Sequence, residues 1–221
     1  MHDSDPIAQL LRLLAAGLLL ISFSMLSRRR TQRLITLYAW QGAILFLSTC
    51  LVAYRAGRTE LYYSAALTLL LKVILLPWIL HRLIQRLGAQ WDSETLVNIP
   101  TTMLVGLALV IFAFGLAQPI SLLATTITRH TIGIALAVIL LSFMMMITRR
   151  KAITQVIGFL AMENGLFFAA ASATYGMPMV IELGIALDLL AAVFILGIFF
   201  FQIREQFDSL DLHHLEKLRE D

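Results

Sequence analysis

Charge and cysteine are what this chain has least of. Only 14% of its 221 residues are charged, against about 25% in an ordinary soluble domain. The single cysteine, Cys50, lies inside an apolar run. One thiol cannot close an intrachain disulfide, and it cannot build a cysteine-based zinc or iron–sulfur site. The five histidines show no metal-ligand spacing with other candidate ligands; His213 and His214 are adjacent and would point apart on a helix. No Gly/Ser-rich linker, low-complexity block or internal repeat divides the chain, so one helical bundle is the simplest organisation.

What the chain has is hydrophobic length. With 59% hydrophobic residues and a mean hydropathy of +0.84, it reads as an integral membrane protein. A helix crossing a hydrocarbon core of ~30 Å uses about 20 residues, so 221 residues accommodate several spans and leave almost nothing for a soluble catalytic domain. The net charge of +3 and pI near 9.3 do not indicate a nucleic-acid partner, because the basic residues fall in short clusters between apolar segments, where they set orientation.

The apolar runs predict an all-α, polytopic bundle of about seven helices: Ile7 to Leu26, Leu34 to about Tyr54, Leu61 to Leu80, Leu96 to Gln118 ending at Pro119, Thr131 to Ile147, and a final pair within Thr154 to Ile203 joined at Tyr175-Gly176-Met177-Pro178. Tyr38 and Trp40 suit a membrane interface, and Gln41 is the one strongly polar residue inside the second span. Arg12 lies near a helix end and can snorkel. The run Arg28 to Arg33, Arg82 with Arg86, Arg149-Arg150-Lys151 and the tail after Arg204 fall on one side, against Arg55, Arg58 and Arg129 on the other. That bias places the N-terminus outside and the C-terminus in the cytoplasm. Leu212, Leu215 and Leu218 give the tail, residues 204–221, the spacing of a short amphipathic helix or of a solvated end.

Four ionisable residues stand where hydrocarbon is expected. Glu163, Asp188 and Lys72 fall near mid-membrane, and Glu182 about three residues inside a boundary, where it could reach interfacial water. A charge at such depth costs at least ~2.5 kcal/mol, so it faces a bundle interior, a hydrated path or a partner. Lys72 could serve in an ion pair with Glu163 or Asp188 that fixes helix packing. Removal from water also disfavours the charged form of acid and amine alike, which suits such groups to passing a proton. Pro77 removes a backbone donor close to Lys72, predicting a kink or a freed carbonyl there. Gln155, Gly158, Met162 and Gly165 are expected near the same side of their helix as Glu163, forming a helix–helix seam. Met144-Met145-Met146 reads as packing or lipid-facing material.

LTLLLKVILLPWIL at 67–80, MENGL at 162–166, VIELGIALDLL at 180–190, YAWQ at 38–41 and the LDLHHL tail resemble the hydrogenase-4 component E family over nearly the whole chain. Its members are membrane proteins of group 4 nickel–iron hydrogenases, including formate-hydrogenlyase-type assemblies, related to complex I. The last three spans are similar to the small three-helix membrane protein of complex I and to its counterpart in Mrp-type sodium/proton antiporters, whose two intramembrane glutamates are implicated in proton transfer. That resemblance implies a four-helix front half, 1–130, carrying Lys72, and a three-helix unit, 131–203. Glu163 matches the first glutamate; Asp188 is the better match to the second, with Glu182 competing for the place.

The implied function is a non-catalytic, proton-path subunit in a bacterial or archaeal cytoplasmic (inner) membrane. It would sit beside larger antiporter-like subunits and hydrogenase-arm subunits. No catalytic, cofactor or metal site is expected in this chain; the nickel–iron centre and iron–sulfur clusters would belong to partner chains. A component of a cation/proton antiporter, a stand-alone proton-coupled transporter and a purely structural spacer are the competing readings. The charge bias makes a direct prediction: accessibility labelling should find residues 149–151 and the tail in the cytoplasm and Arg58 and Arg129 outside. A tail labelled from outside would reverse the orientation.

Overall fold

The structure is a computed structural model that describes residues 6–57, 59–86, 97–123 and 126–174, together with 184, 195 and 197. It is all-helical: α1 Pro6–Ser27, α2 Thr31–Ala56, α3 Glu60–Thr68, a π-helical segment Leu69–Leu75, α4 Leu76–Arg86, α5 Ile99–Leu123, α6 Thr126–Thr148 and α7 Ala152–Thr174. Because α3, the π segment and α4 run continuously, the described residues contain six helices long and apolar enough to cross a membrane. The seventh expected span, its Tyr175–Pro178 junction, the tail, Glu182 and Asp188 lie outside the described residues.

Hydrocarbon-length apolar runs form helices because only an internal ladder satisfies their backbone groups away from water. Their ends follow local chemistry. Gly57 terminates α2 with φ of 63°, a left-handed conformation that costs glycine little. Pro100 occupies the first turn of α5, where its missing N–H removes no helix bond. The sequence predicts an end at Pro119, yet α5 continues through it to Leu123. One proline removes a single ladder donor and leaves the following turn free to form.

The helices α6 and α7 are antiparallel neighbours with an extensive contact, α5 packs outside α6 and α1, and α2 lies between α1, α7 and the α3–α4 span. Close approach of α6 and α7 depends on Gly158 and Gly165. A Cβ at 158 would lie 3.1 Å from Met146 N and 3.2 Å from Ser142 O; at 165 it would lie 2.9 Å from the Val138 side chain. These glycines do not share a side with Glu163 as expected. Gly165 is two residues, about 200°, from Glu163, so the glycines take the α6 face and leave the glutamate turned toward α2 and the π segment. Met145 belongs to the packed core.

Two apolar clusters fill the bundle. One contains Met25, Leu26, Leu34, Ile35, Tyr38, Leu76 and Leu80 with residues of α6 and α7; the other contains Ala15, Leu18, Leu45, Ala135, Val138, Phe167 and Phe168. Along α1, α2 and α7 the residues between these clusters, Ser22, Gln41, Glu163 and Asn164, are polar and buried. Tyr38, expected at the interface, is therefore core, while Trp40 is 60% exposed. Trp78 is also exposed, with the Arg82 guanidinium 5.1 Å from its ring centroid. Tyr54, Tyr62 and Tyr63 are exposed at the other end. Tyr62 and Trp78 are separated by 16 residues, roughly 24 Å along a helix, a spacing suited to two interfacial aromatic belts.

Arg149, read from sequence as one of three loop cations, is instead buried. Its Nη2 donates to Met25 O at 3.1 Å and Leu26 O at 3.2 Å, satisfying carbonyls at the C-terminal end of α1, where a cation is favoured. Gln155 Nε2 donates to Arg149 O at 2.8 Å. Burial pushes the Arg149 pKa down to about 10, so the group remains cationic at neutral pH. Arg149→Ala should destabilise the protein by about 1–3 kcal/mol, because the Met25 and Leu26 carbonyls lose a charged donor, Met25 O keeping only the Arg28 N–H. Arg29→Ala, at an exposed position, should stay within about 0.5 kcal/mol of the native protein. Thermal unfolding in mild detergent checks the contrast.

Candidate functional site: a buried ion pair between the π segment and α7

Lys72 Nζ lies 2.8 Å from Glu163 Oε1, and the two side chains are 1% and 2% exposed. Lys72 is ten residues beyond Tyr62 and six before Trp78, between the two aromatic levels. The pair joins the third span to α7 across 91 residues of sequence. Bringing two charges out of water costs several kcal/mol per ion, which their attraction and further polar contacts must offset.

The local backbone is irregular where the amine is seated. Leu69–Leu75 is π-helical, a winding that concentrates at functional sites, and Leu76 N–H pairs with Leu71 O. Pro77 cannot extend this i→i+5 ladder, since it has no N–H and stands where the pattern would pair with Lys72 O. The sequence predicts a kink or a freed carbonyl beside the amine; the structure has a π-helical segment there, ahead of the proline. Gly42 of α2 admits this wider segment. A Cβ there would lie 3.2 Å from Lys72 Cβ and 3.3 Å from its carbonyl carbon and oxygen, so a side chain would push α2 away from the π turn.

The contacts continue on both sides of the pair. The Phe167 ring centroid is 5.6 Å from Lys72 Nζ, a cation–π distance, and Gly184 stands close against the same ring. Asn164, next to Glu163, donates through Nδ2 to Gln41 Oε1 at 3.2 Å. Gln41 Nε2 donates to Ser22 Oγ at 2.9 Å, and Ser22 Oγ to Leu18 O at 2.8 Å. A single buried polar layer thus runs from Lys72 through α7 and α2 to α1.

Of the four sequence-marked ionisable residues, Lys72 and Glu163 are brought together. Gln41 was visible as the polar residue of its span. Ser22, Gly42, Asn164 and Phe167 were not singled out, and Arg149 was read only as a topology marker; Asn164 and Gly42 were signalled only by adjacency to Glu163 and Gln41. Among the described residues, no group of three or more His, Cys, Asp or Glu is arranged to hold a metal ion.

No protein-family model matches the sequence, and no solved structure matches it. The chain is 34% identical over 207 residues to Uncharacterized protein Rv0085 of Mycobacterium tuberculosis, covering 93% of this chain and 94% of that protein. It is 23% identical over 206 residues to Hydrogenase-4 component E of Escherichia coli K12, covering 93% of this chain and 95% of that protein. The same values hold for Hydrogenase-4 component E of Shigella flexneri. Among the described residues, six apolar helices of membrane-crossing length and a buried ion pair between two of them define a multi-pass membrane protein. Over nearly its whole length the chain is a distant relative of the proteins named Hydrogenase-4 component E.

The energetics of the pair can be measured directly. Lys72→Met should cost about 3–5 kcal/mol by leaving Glu163 buried without its cation, whereas Lys72→Met combined with Glu163→Gln should recover most of that loss. A double-mutant cycle on thermal unfolding reads the coupling; additive losses would contradict the pairing.

Proposed function

We propose that this chain is a non-catalytic membrane subunit of a multisubunit, hydrogenase-like complex and that Lys72 and Glu163 pass protons within it. The observation carrying this reading is the 2.8 Å contact between an ammonium and a carboxylate, both buried in a membrane-spanning bundle. In the transfer step an N–H bond of Lys72 breaks and an O–H bond forms on Glu163, converting a charged pair into a neutral one. Relationship to proteins named Hydrogenase-4 component E supports assembly with hydrogenase subunits, with the redox centres in partner chains.

Asp188 is the proposed next acceptor. It follows Gly184 by four residues in sequence, and Gly184 is already against the Phe167 ring beside Lys72. Glu182 is assigned to the same end of the route. Residues 1–130 then supply the lysine and residues 131–203 the carboxylates, so the proton crosses between two segments of one chain.

Complexes carrying Glu163→Gln or Asp188→Asn should assemble with their larger subunits and translocate protons at a small fraction of the native rate. The Lys72→Met/Glu163→Gln variant removes both charges and should behave in the same way. Lys72→Arg should not restore full transport, because guanidinium does not give up its proton as an amine does. Proton uptake by sealed vesicles, measured beside the set of chains that co-purify, reads both quantities. Native transport by Glu163→Gln would overturn the reading, and loss of assembly with full transport by the residual complex would favour a structural role.

A further inference from the structure

Arg149 gathers the other cations of its end of the bundle. Its bonds to the Met25 and Leu26 carbonyls hold the α6–α7 connection beside the α1–α2 connection. Arg150 and Lys151 are thereby brought to the same end as Arg28, Arg29, Arg30 and Arg33, and those four arginines are exposed. Cations concentrated in two adjoining connections repel one another and call for a counter-charge. Among the described residues the only acids are Glu60, at the start of α3, and Glu163, in the buried pair, so no described carboxylate answers this face.

Below the cations the exposed surface changes character in a fixed order. On α2, Arg33, Trp40 and Leu47 recur at seven-residue steps and are exposed. Each step is about 10 Å along the axis and about 20° from straight alignment, so the three form one stripe. On the third span, Ile74, Trp78 and Arg82 recur at four-residue steps and are also exposed, with the Arg82 guanidinium 5.1 Å from the Trp78 ring centroid. Leu34 and Ile35 share a buried cluster with Leu80 and Leu83, which sets Arg33 and Arg82 at the same end of neighbouring helices. Both stripes therefore run from guanidinium to indole to aliphatic side chain. Guanidinium pairs with phosphate oxygens, tryptophan favours the headgroup level, and the aliphatic end matches hydrocarbon. An acidic protein segment would complement only the first part of that order.

We propose that this face is a docking surface for anionic phospholipid, with Arg28, Arg29, Arg33 and Arg82 around the headgroup and the acyl chains along the Trp40 and Trp78 stripes. The lipid supplies the counter-charge that the described residues lack. Through the Arg149 bonds it also braces the end of α7, the helix that carries Glu163. The proposal is independent of proton transfer by the buried pair.

Brominated phospholipids quench a nearby indole, so the full chain in phosphatidylcholine vesicles reports its own lipid contacts. Trp78→Phe with Trp91→Phe leaves Trp40 as the reporter. At equal low mole fraction, brominated phosphatidylglycerol should quench Trp40 as though enriched about tenfold over brominated phosphatidylcholine, since each arginine near an anionic surface contributes roughly fivefold in affinity before screening. Adding Arg28→Gln, Arg29→Gln and Arg33→Gln should bring the two lipids to equality, whereas Arg55→Gln, at the other end of α2, should leave the preference intact. Trp40→Phe with Trp91→Phe makes the same measurement at Trp78, where Arg82→Gln should lower the preference; this single change keeps the test decisive if the triple variant does not fold. Equal quenching by the two lipids before any arginine is changed overturns the proposal, as does a preference that persists in both arginine variants. A preference that appears only after removal of residues 205–221 overturns it in favour of the chain's own acidic tail. Loss of a co-purifying soluble chain from the triple variant, with its lipid preference retained, overturns it in favour of a protein partner.

Discussion

The structure depends on keeping an ammonium and a carboxylate together in a region that favours neither. Isolated charges at that depth cost ~2.5–3.5 kcal/mol even on insertion scales, and the pair is stable only while its geometry is held. Gly42 lets α2 approach the π turn, Phe167 covers the amine with an aromatic face, and Pro77 bounds the irregular winding. These features are local in sequence to three separate helices, yet each acts on the same few atoms.

The remainder of the bundle fixes those helices against one another. Glycines on one side of α7 seat it on α6 and leave Glu163 facing the other way. The Ser22–Gln41–Asn164 hydrogen bonds set α1, α2 and α7 at a common level. Arg149 ties the α6–α7 connection to the end of α1. Apolar clusters above and below the polar layer supply packing without competing hydrogen-bond partners, which strengthens interactions inside it and raises the cost of breaking them.

Much of this architecture was legible because membrane thickness acts on sequence directly. Run lengths indicate the six described spans, and depth alone marks Lys72 and Glu163 as residues needing a partner. Glu163 was one of two possible partners for the lysine, since helix registers across 91 residues cannot be read from spacing. Glu163 and the glycines were assigned to one face by too loose an angular reading, although two residues separate Gly165 from Glu163 by more than half a turn. Arg149 was hidden for a different reason. Arginine in a basic loop usually marks topology, and only tertiary packing brings the α1 carbonyls to it. A π turn has no distinct residue signature, and Pro77 indicated only that the ladder must break nearby.

The central claim is that Glu163 changes protonation while remaining part of the buried pair. Infrared difference spectroscopy of the intact complex, triggered by the reductant that drives its turnover, tests this most directly. The expected result is a protonated-carboxyl band that rises and decays during turnover, shifts in heavy water, is lost in Glu163→Gln and is displaced in Lys72→Met. A Glu163 carboxylate signal that stays constant through turnover while protons are translocated would contradict the account.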